Sequence, residues 1–153
     1  MTDHHDNQQQ ELVATLFELG REVTSVLDLD ELLQRIPRLI ARLTTFTVFA
    51  VYLLDEQKEE LRIAYAEGYP EEVVRTFRLK VGEGIVGAAV AQKRPILVND
   101  VHEDARSRSM VLGVKAQLAV PLRHKKRVIG ALNLLSDRAG AFTQRDEDIL
   151  AQF

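Results

Sequence analysis

The chain contains no cysteine. That absence excludes disulfides, thiolate zinc sites, iron–sulfur clusters, cysteine nucleophiles and cofactors attached through a thioether from these 153 residues. Nowhere does an apolar run approach the roughly 20 residues that a membrane-spanning helix needs. The opening MTDHHDNQQQ lacks the basic-then-apolar order of a secretory leader, so the sequence reads as cytoplasmic. Neither sign of charge is in excess: 20 Lys and Arg stand against 23 Asp and Glu, for a net charge of −3. Composition therefore offers no general attraction to phosphate backbones, and nucleic acid is not an expected partner. Of the four histidines, His4 and His5 fall in the polar opening, and no pair has the i, i+4 spacing that would serve haem or zinc on a helix. No metal and no cofactor is expected.

What is present is one domain's worth of chain with enough apolar residues for a single core. Residues 1–10 read as a disordered tail and 11–153 as the domain, its last helix cut short at Phe153. From Glu11 the pattern is helical. Leu12, Leu16, Leu19, Val23 and Val26 recur at alternating four and three, a stripe that points to a homodimer through this helix. Asp28, with Glu31 three residues on, is placed as an N-cap, so a second helix is expected from Leu29, with a kink near Ile36 caused by Pro37. The period then shortens. Strands are expected over 46–54 and 61–66, a short helix over 70–77, a brief strand at 96–98 and a hairpin in QLAVPLRHKKRVIGALNLL. Thr143 and Asp146 cap a final helix with Ile149, Leu150 and Phe153 on its apolar side.

The stretch LKVGEGIVGAAVAQKRPILVND supports two readings. Gly82, Gly84 and Gly87 have the GxGxxG spacing of a dinucleotide site, with Asp100 at the distance of a ribose-binding acid. Against this, Phe77 to Val81 alternates apolar with charged residues as a half-exposed strand does, whereas a first Rossmann strand is apolar throughout. The helix after the glycines is also short, and the chain goes on to an antiparallel hairpin instead of further βαβ units.

The run of two helices, a hairpin, GEGIVGAAVAQKRPILVNDV, a loop, LAVPL, VIGALNLLS and AFTQRDEDIL resembles a GAF domain from about residue 11 onward. The resemblance implies an α+β fold: a central antiparallel sheet, terminal helices on one face, and short helices and loops over a small-ligand pocket on the other. It is most similar to the GAF domains ahead of metal-dependent serine/threonine phosphatase or histidine kinase modules, which implies a covalently attached output domain. Carried over by position, the pocket would use Ala50, Ala66, Glu67, Ile85, Val86, Val114 and Asn133. Cyclic-nucleotide-binding members carry Asn-Lys where this chain has Ser136 and Asp137, although Phe142, Asp146 and Glu147 match. The bilin-binding and methionine-sulfoxide-reducing branches both use cysteine, which is missing here.

Periodicity adds that Asn133 is the one polar residue in VIGALNLL, on a face shared with Ile129, Ala131 and Leu135. A buried amide needs partners, from the protein or from a ligand. Arg106 and Arg108 lie in the long polar segment 99–115 and could close over an anionic group. The basic run Arg123 to Arg127 reads as a solvated hairpin turn. The expected function is a sensor domain that binds an unknown small polar metabolite, controls its output module, dimerises and has no catalysis of its own. The alternatives are a purely structural dimerisation module and a dinucleotide-binding oxidoreductase fragment.

Overall fold

The computed structural model describes residues 26–107 and 111–152. Helix α1, Val26–Leu43, leads into strands β1, Val48–Asp55, and β2, Glu60–Glu67. Helix α2, Glu71–Thr76, strand β3, Arg78–Lys80, helix α3, Gly84–Gln92, and strand β4, Ile96–Val98, follow. The chain closes with strands β5, Ala116–His124, and β6, Arg127–Ser136, and helix α4, Gln144–Leu150. The strands form one six-stranded sheet in the order β3-β2-β1-β6-β5-β4. Every neighbouring pair is antiparallel. No βαβ crossover exists in it, which removes the dinucleotide reading. Asp100 instead caps the short 3₁₀ turn Val101–Glu103, its carboxylate accepting from the His102 N–H at 3.0 Å.

Alternation along the strands divides the core in two. Phe49 and Val51 of β1, Leu118 and Val120 of β5, and Leu132 and Leu134 of β6 pack with Ile36 and Ile40 of α1 and Leu150 of α4. On the opposite face, Val48, Ala50, Tyr52, Ala119, Ala131 and Leu135 pack under α3. That helix, GIVGAAVAQ, is buried from Gly84 to Val90. Its small residues allow the close approach: a Cβ on Gly87 would lie 2.6 Å from the Lys80 carbonyl oxygen.

Three sequence expectations change. Helical structure runs through Asp28, so Asp28 does not cap a helix beginning at Leu29. Aspartate is only a modest helix breaker, and an apolar stripe that continues across it overrides the cap signal. The face assigned to Ile129 is also wrong. Pairing skips between Leu122↔Gly130 and Arg123↔Val128, so Ile129 is the extra residue of a bulge, and Val128 packs on the α3 side instead. Finally, the segment 99–115 is not purely polar loop, because Val101 and Val114 are buried and the 3₁₀ turn organises its start. The Thr143–Asp146 capping box is formed as the spacing requires. The tail and Leu12, Leu16, Leu19 and Val23 of the dimerisation stripe lie outside the described residues, as do Arg108 and Phe153. Of that stripe only the backbone of Val26 is described, at the start of α1.

Among the described residues, four non-glycine residues have left-handed backbone: Glu59, Lys93, Lys125 and Lys126. Lys125 and Lys126 form the two-residue turn between β5 and β6, with φ of 51° and 67°. Asn-Gly is the favoured pair in such a turn, and each lysine there is strained by roughly 1–2 kcal/mol.

Candidate functional site

The site is built on one row of the sheet. Ala66 pairs with Ala50, Ala50 with Asn133, and Asn133 with Ala119. Three alanines thus flank a single amide, and the room they leave is taken up by larger side chains from adjacent rows and from the connection after β2. Asn133 is 2% exposed. Its Oδ1 accepts from Gln117 Nε2 at 2.8 Å, and its Nδ2 donates to the Tyr69 hydroxyl at 3.0 Å. Tyr52 borders the same cavity as Tyr69. A chain of three polar groups, Gln117, Asn133 and Tyr69, therefore crosses an otherwise apolar face, with Tyr52 beside its end.

Burial pushes the Tyr52 phenol well above its ordinary pKa, and the Tyr69 contact adds to the rise. Burial raises Tyr69 as well, opposed by its polar neighbours Tyr52 and Asn133. Both phenols are held neutral and serve as hydrogen-bonding groups.

Between this network and the start of α3 lies a cavity of about 20 Å³, which is room for one water molecule. Tyr52, Tyr69, Phe77, Ile85, Gln117 and Asn133 are among its walls. Tyr69 and Phe77 come from the ends of the segment carrying α2, a helix with no buried residue. The space is closed by side chains of this segment, whose Val73 and Val74 are only partly buried against the α3-side core.

Of the residues expected at a pocket, Ile85, Val86 and Asn133 line the cavity. Ala50 lies beneath it in the same row, fully buried. Ala66 is half-buried at the edge of the α3-side core, and Val114 is buried in that core without reaching the cavity. Glu67 is turned away, its carboxylate accepting from the Tyr65 hydroxyl at 2.9 Å. Arg106 is not a free lid cation. It holds Asp104 through two side-chain hydrogen bonds of 3.1 and 2.8 Å, which lower the Asp104 pKa. The short i, i+2 reach makes this a local turn, not a clamp over the cavity.

Gln117, Tyr52, Tyr69 and Phe77 were not anticipated. Gln117 carries the same signal as Asn133, a lone polar residue in AQLAVPL. Tyr52 follows from Ala50 by the period of two. Tyr69 and Phe77 have no such signal, because a connection has no fixed direction relative to the sheet. Ser136 and Asp137 are occupied in the turn after β6: Ser136 Oγ accepts from the Arg138 N–H at 3.2 Å, and Asp137 engages Thr47.

A family model described as GAF domain matches residues 26–153. The chain belongs to the GAF domain family. This GAF domain is 30% identical over 114 residues to free methionine-R-sulfoxide reductase of Escherichia coli strain K12, a match covering 74% of this chain and 66% of the relative. It is 28% identical over 145 residues to the Nif-specific regulatory protein of Herbaspirillum seropedicae, covering 90% of this chain and 26% of that one. The chain thus spans less than two thirds of the length of either relative. Among solved structures, it is similar to free methionine-R-sulfoxide reductase of Neisseria meningitidis in complex with its substrate, with a TM-score of 0.76 at 21% identity, covering 94% of this chain and 82% of that one. That likeness is one of fold.

These matches overturn the expectation of a domain without catalysis. Enzymes and regulators both appear among the relatives of this GAF domain, so membership in the family does not set it apart from enzymes. Among the described residues, no group of three His, Cys, Asp or Glu side chains is placed to hold a metal, and no helix is long and apolar enough to cross a membrane.

Proposed function

We propose that this GAF domain is a regulatory sensor for a small polar ligand, and that Tyr69 occupies the ligand's place when the site is empty. The observation that carries the reading is the hydrogen bond from the buried Asn133 amide onto the Tyr69 oxygen at the cavity wall. Asn133 is a donor fixed on a central strand, whereas its acceptor belongs to a connection whose helix has no fully buried residue. Swinging Tyr69 and Phe77 outward opens the space under α3 and leaves the Asn133 amide aimed into it, with Tyr52 at its wall. A ligand that enters must supply an acceptor oxygen in the same position, as a carbonyl, carboxylate or sulfoxide would. Methionine-R-sulfoxide, the compound named for the reductase relatives, has such an oxygen and is the first ligand to test.

The ligand need only favour the open arrangement to drive a signal, since differential affinity is what shifts a population. An attached output module, a phosphatase or a kinase, would read the shift through the flanking helices.

Thermal-shift measurement across a panel of polar metabolites, methionine sulfoxide included, tests the proposal. Ligand at a hundredfold its dissociation constant stabilises by about 2.7 kcal/mol. Hits should gain affinity in Tyr69→Ala and lose it in Asn133→Leu. Hits unaffected by either substitution would refute the site. Turnover of any hit, followed by chromatography, separates a sensor from an enzyme. These 153 residues would bring no thiol of their own to such a reaction.

A further inference from the structure

A second concavity lies at the other end of the sheet, where the turns of the β1–β2 and β5–β6 hairpins meet the C-terminus of α3. It is a groove of about 450 Å³, within the range of small-molecule sites. Leu54, Val81, Val90 and Val128 give it an aliphatic floor, and Lys93, Lys126, Arg127, Glu56 and Glu59 stand around it. The Ile129 bulge is what turns Val128 toward this side.

The backbone under its lysines is unusual. Lys93 ends α3 in left-handed conformation, with φ of 57°, where glycine is the common residue. Lys126 holds the second position of the hairpin turn with φ of 67°, where glycine again fits without strain. Both positions line the same groove, as does Glu59, whose backbone is left-handed as well. The Arg123 guanidinium donates to the Lys93 carbonyl oxygen and fixes that corner. Arg127 is neutralised by its ion pair with Glu56. Among the described residues neither Lys93 nor Lys126 forms an ion pair. Glu59 offsets part of their charge, leaving the rim with a small positive surplus.

We propose that this groove is a second ligand site, specific for a monocarboxylate with a short aliphatic body. The aliphatic part lies on Leu54, Val90 and Val128, and the carboxylate meets Lys93 and Lys126. The modest surplus of charge selects a monoanion, and the partly buried aliphatic floor, where Leu54, Val81 and Val128 keep some exposure, rewards a ligand with apolar surface. The site stands independently of the cavity at Asn133.

Octanoate is the probe, followed by methyl NMR shifts and calorimetry on the intact chain, with octanol as its uncharged counterpart. Saturable shifts at Val90 and Val128 with octanoate, and none with octanol, are expected. The double variant Lys93→Gly, Lys126→Gly should melt higher than the parent, because glycine suits both positions, yet bind octanoate roughly fivefold more weakly, as loss of two exposed charge contacts implies. Asn133→Leu should leave octanoate binding unchanged. The proposal fails if octanoate causes no saturable shift at these valines, if octanol binds equally well, if the double glycine variant keeps full affinity, or if Asn133→Leu abolishes binding.

Discussion

The amide of Asn133 donates to the hydroxyl of Tyr69 at 3.0 Å, joining the last strand to a connection 64 residues earlier in the chain. Tyr69→Phe keeps the ring but removes the acceptor, leaving the Asn133 amide with an unmet donor in a space for one water. Leaving buried polar groups unsatisfied costs about 1–3 kcal/mol, a melting decrease of several degrees for a domain of this size. Hydrogen exchange should accelerate selectively over residues 68–77, because the connection loses its tie to the sheet. Uniform acceleration across all strands would show that Tyr69 is an ordinary core residue and not a movable plug.

Gly130 tests the packing of β1 on β6. A Cβ there would lie 2.0 Å from the Tyr52 carbonyl oxygen, and the obstacle is backbone that cannot rotate away. Gly130→Ala should destabilise by about 3 kcal/mol or more, at the upper end for overpacking. Gly113→Ala meets nothing within 4 Å and bears only the strain of its φ of +80°, about 1–2 kcal/mol. Denaturant melts of both variants should therefore rank them in that order.

All three tyrosines have raised pKa values. Burial is the first cause in each, joined at Tyr65 by the hydrogen bond it gives to the Glu67 carboxylate. Since the folded values lie above the unfolded one near ~10, their contribution to stability is complete below that pH. It is lost as pH rises through the folded values. Phenolate absorbance of the native chain should thus rise later than that of the chain in urea, with the delayed phase coinciding with unfolding. Tyr52→Phe should remove the largest delay. A native titration that overlays the urea curve would contradict the burial of these rings.

The stripe Leu12, Leu16, Leu19, Val23 and Val26 spans only about two heptads, short of a free-standing coiled coil. A weak homodimer through it remains our proposal. Substituting Asp at Leu16 and Val23 should lower the light-scattering mass from dimer to monomer. A parent chain that is monomeric at high concentration would refute the stripe as an interface.

Sequence alone determined most of the strands and short helices and the face of Asn133. Gly84–Gln92 as a helix, Ile96–Val98 as a strand, and the terminal hairpin all follow from local period and turn residues, which depend on neighbours a few positions away. Asn133 stood out because a lone amide breaks an apolar alternation, and alternation is set by the backbone of its own strand. The tertiary structure decided what the amide does. Its partner Tyr69 sits in a connection whose direction no periodicity encodes, so only the folded chain brings the two together. A bulge moved Ile129 off its face, because an extra residue shifts parity without marking the sequence. Arg106 was drawn to Asp104, since a carboxylate two residues away lies within reach in the turn, whereas closing over the cavity would break both side-chain bonds to it. The groove at Lys93 and Lys126 was likewise hidden. Its walls come from four separate segments, and only sheet curvature and hairpin register set them side by side.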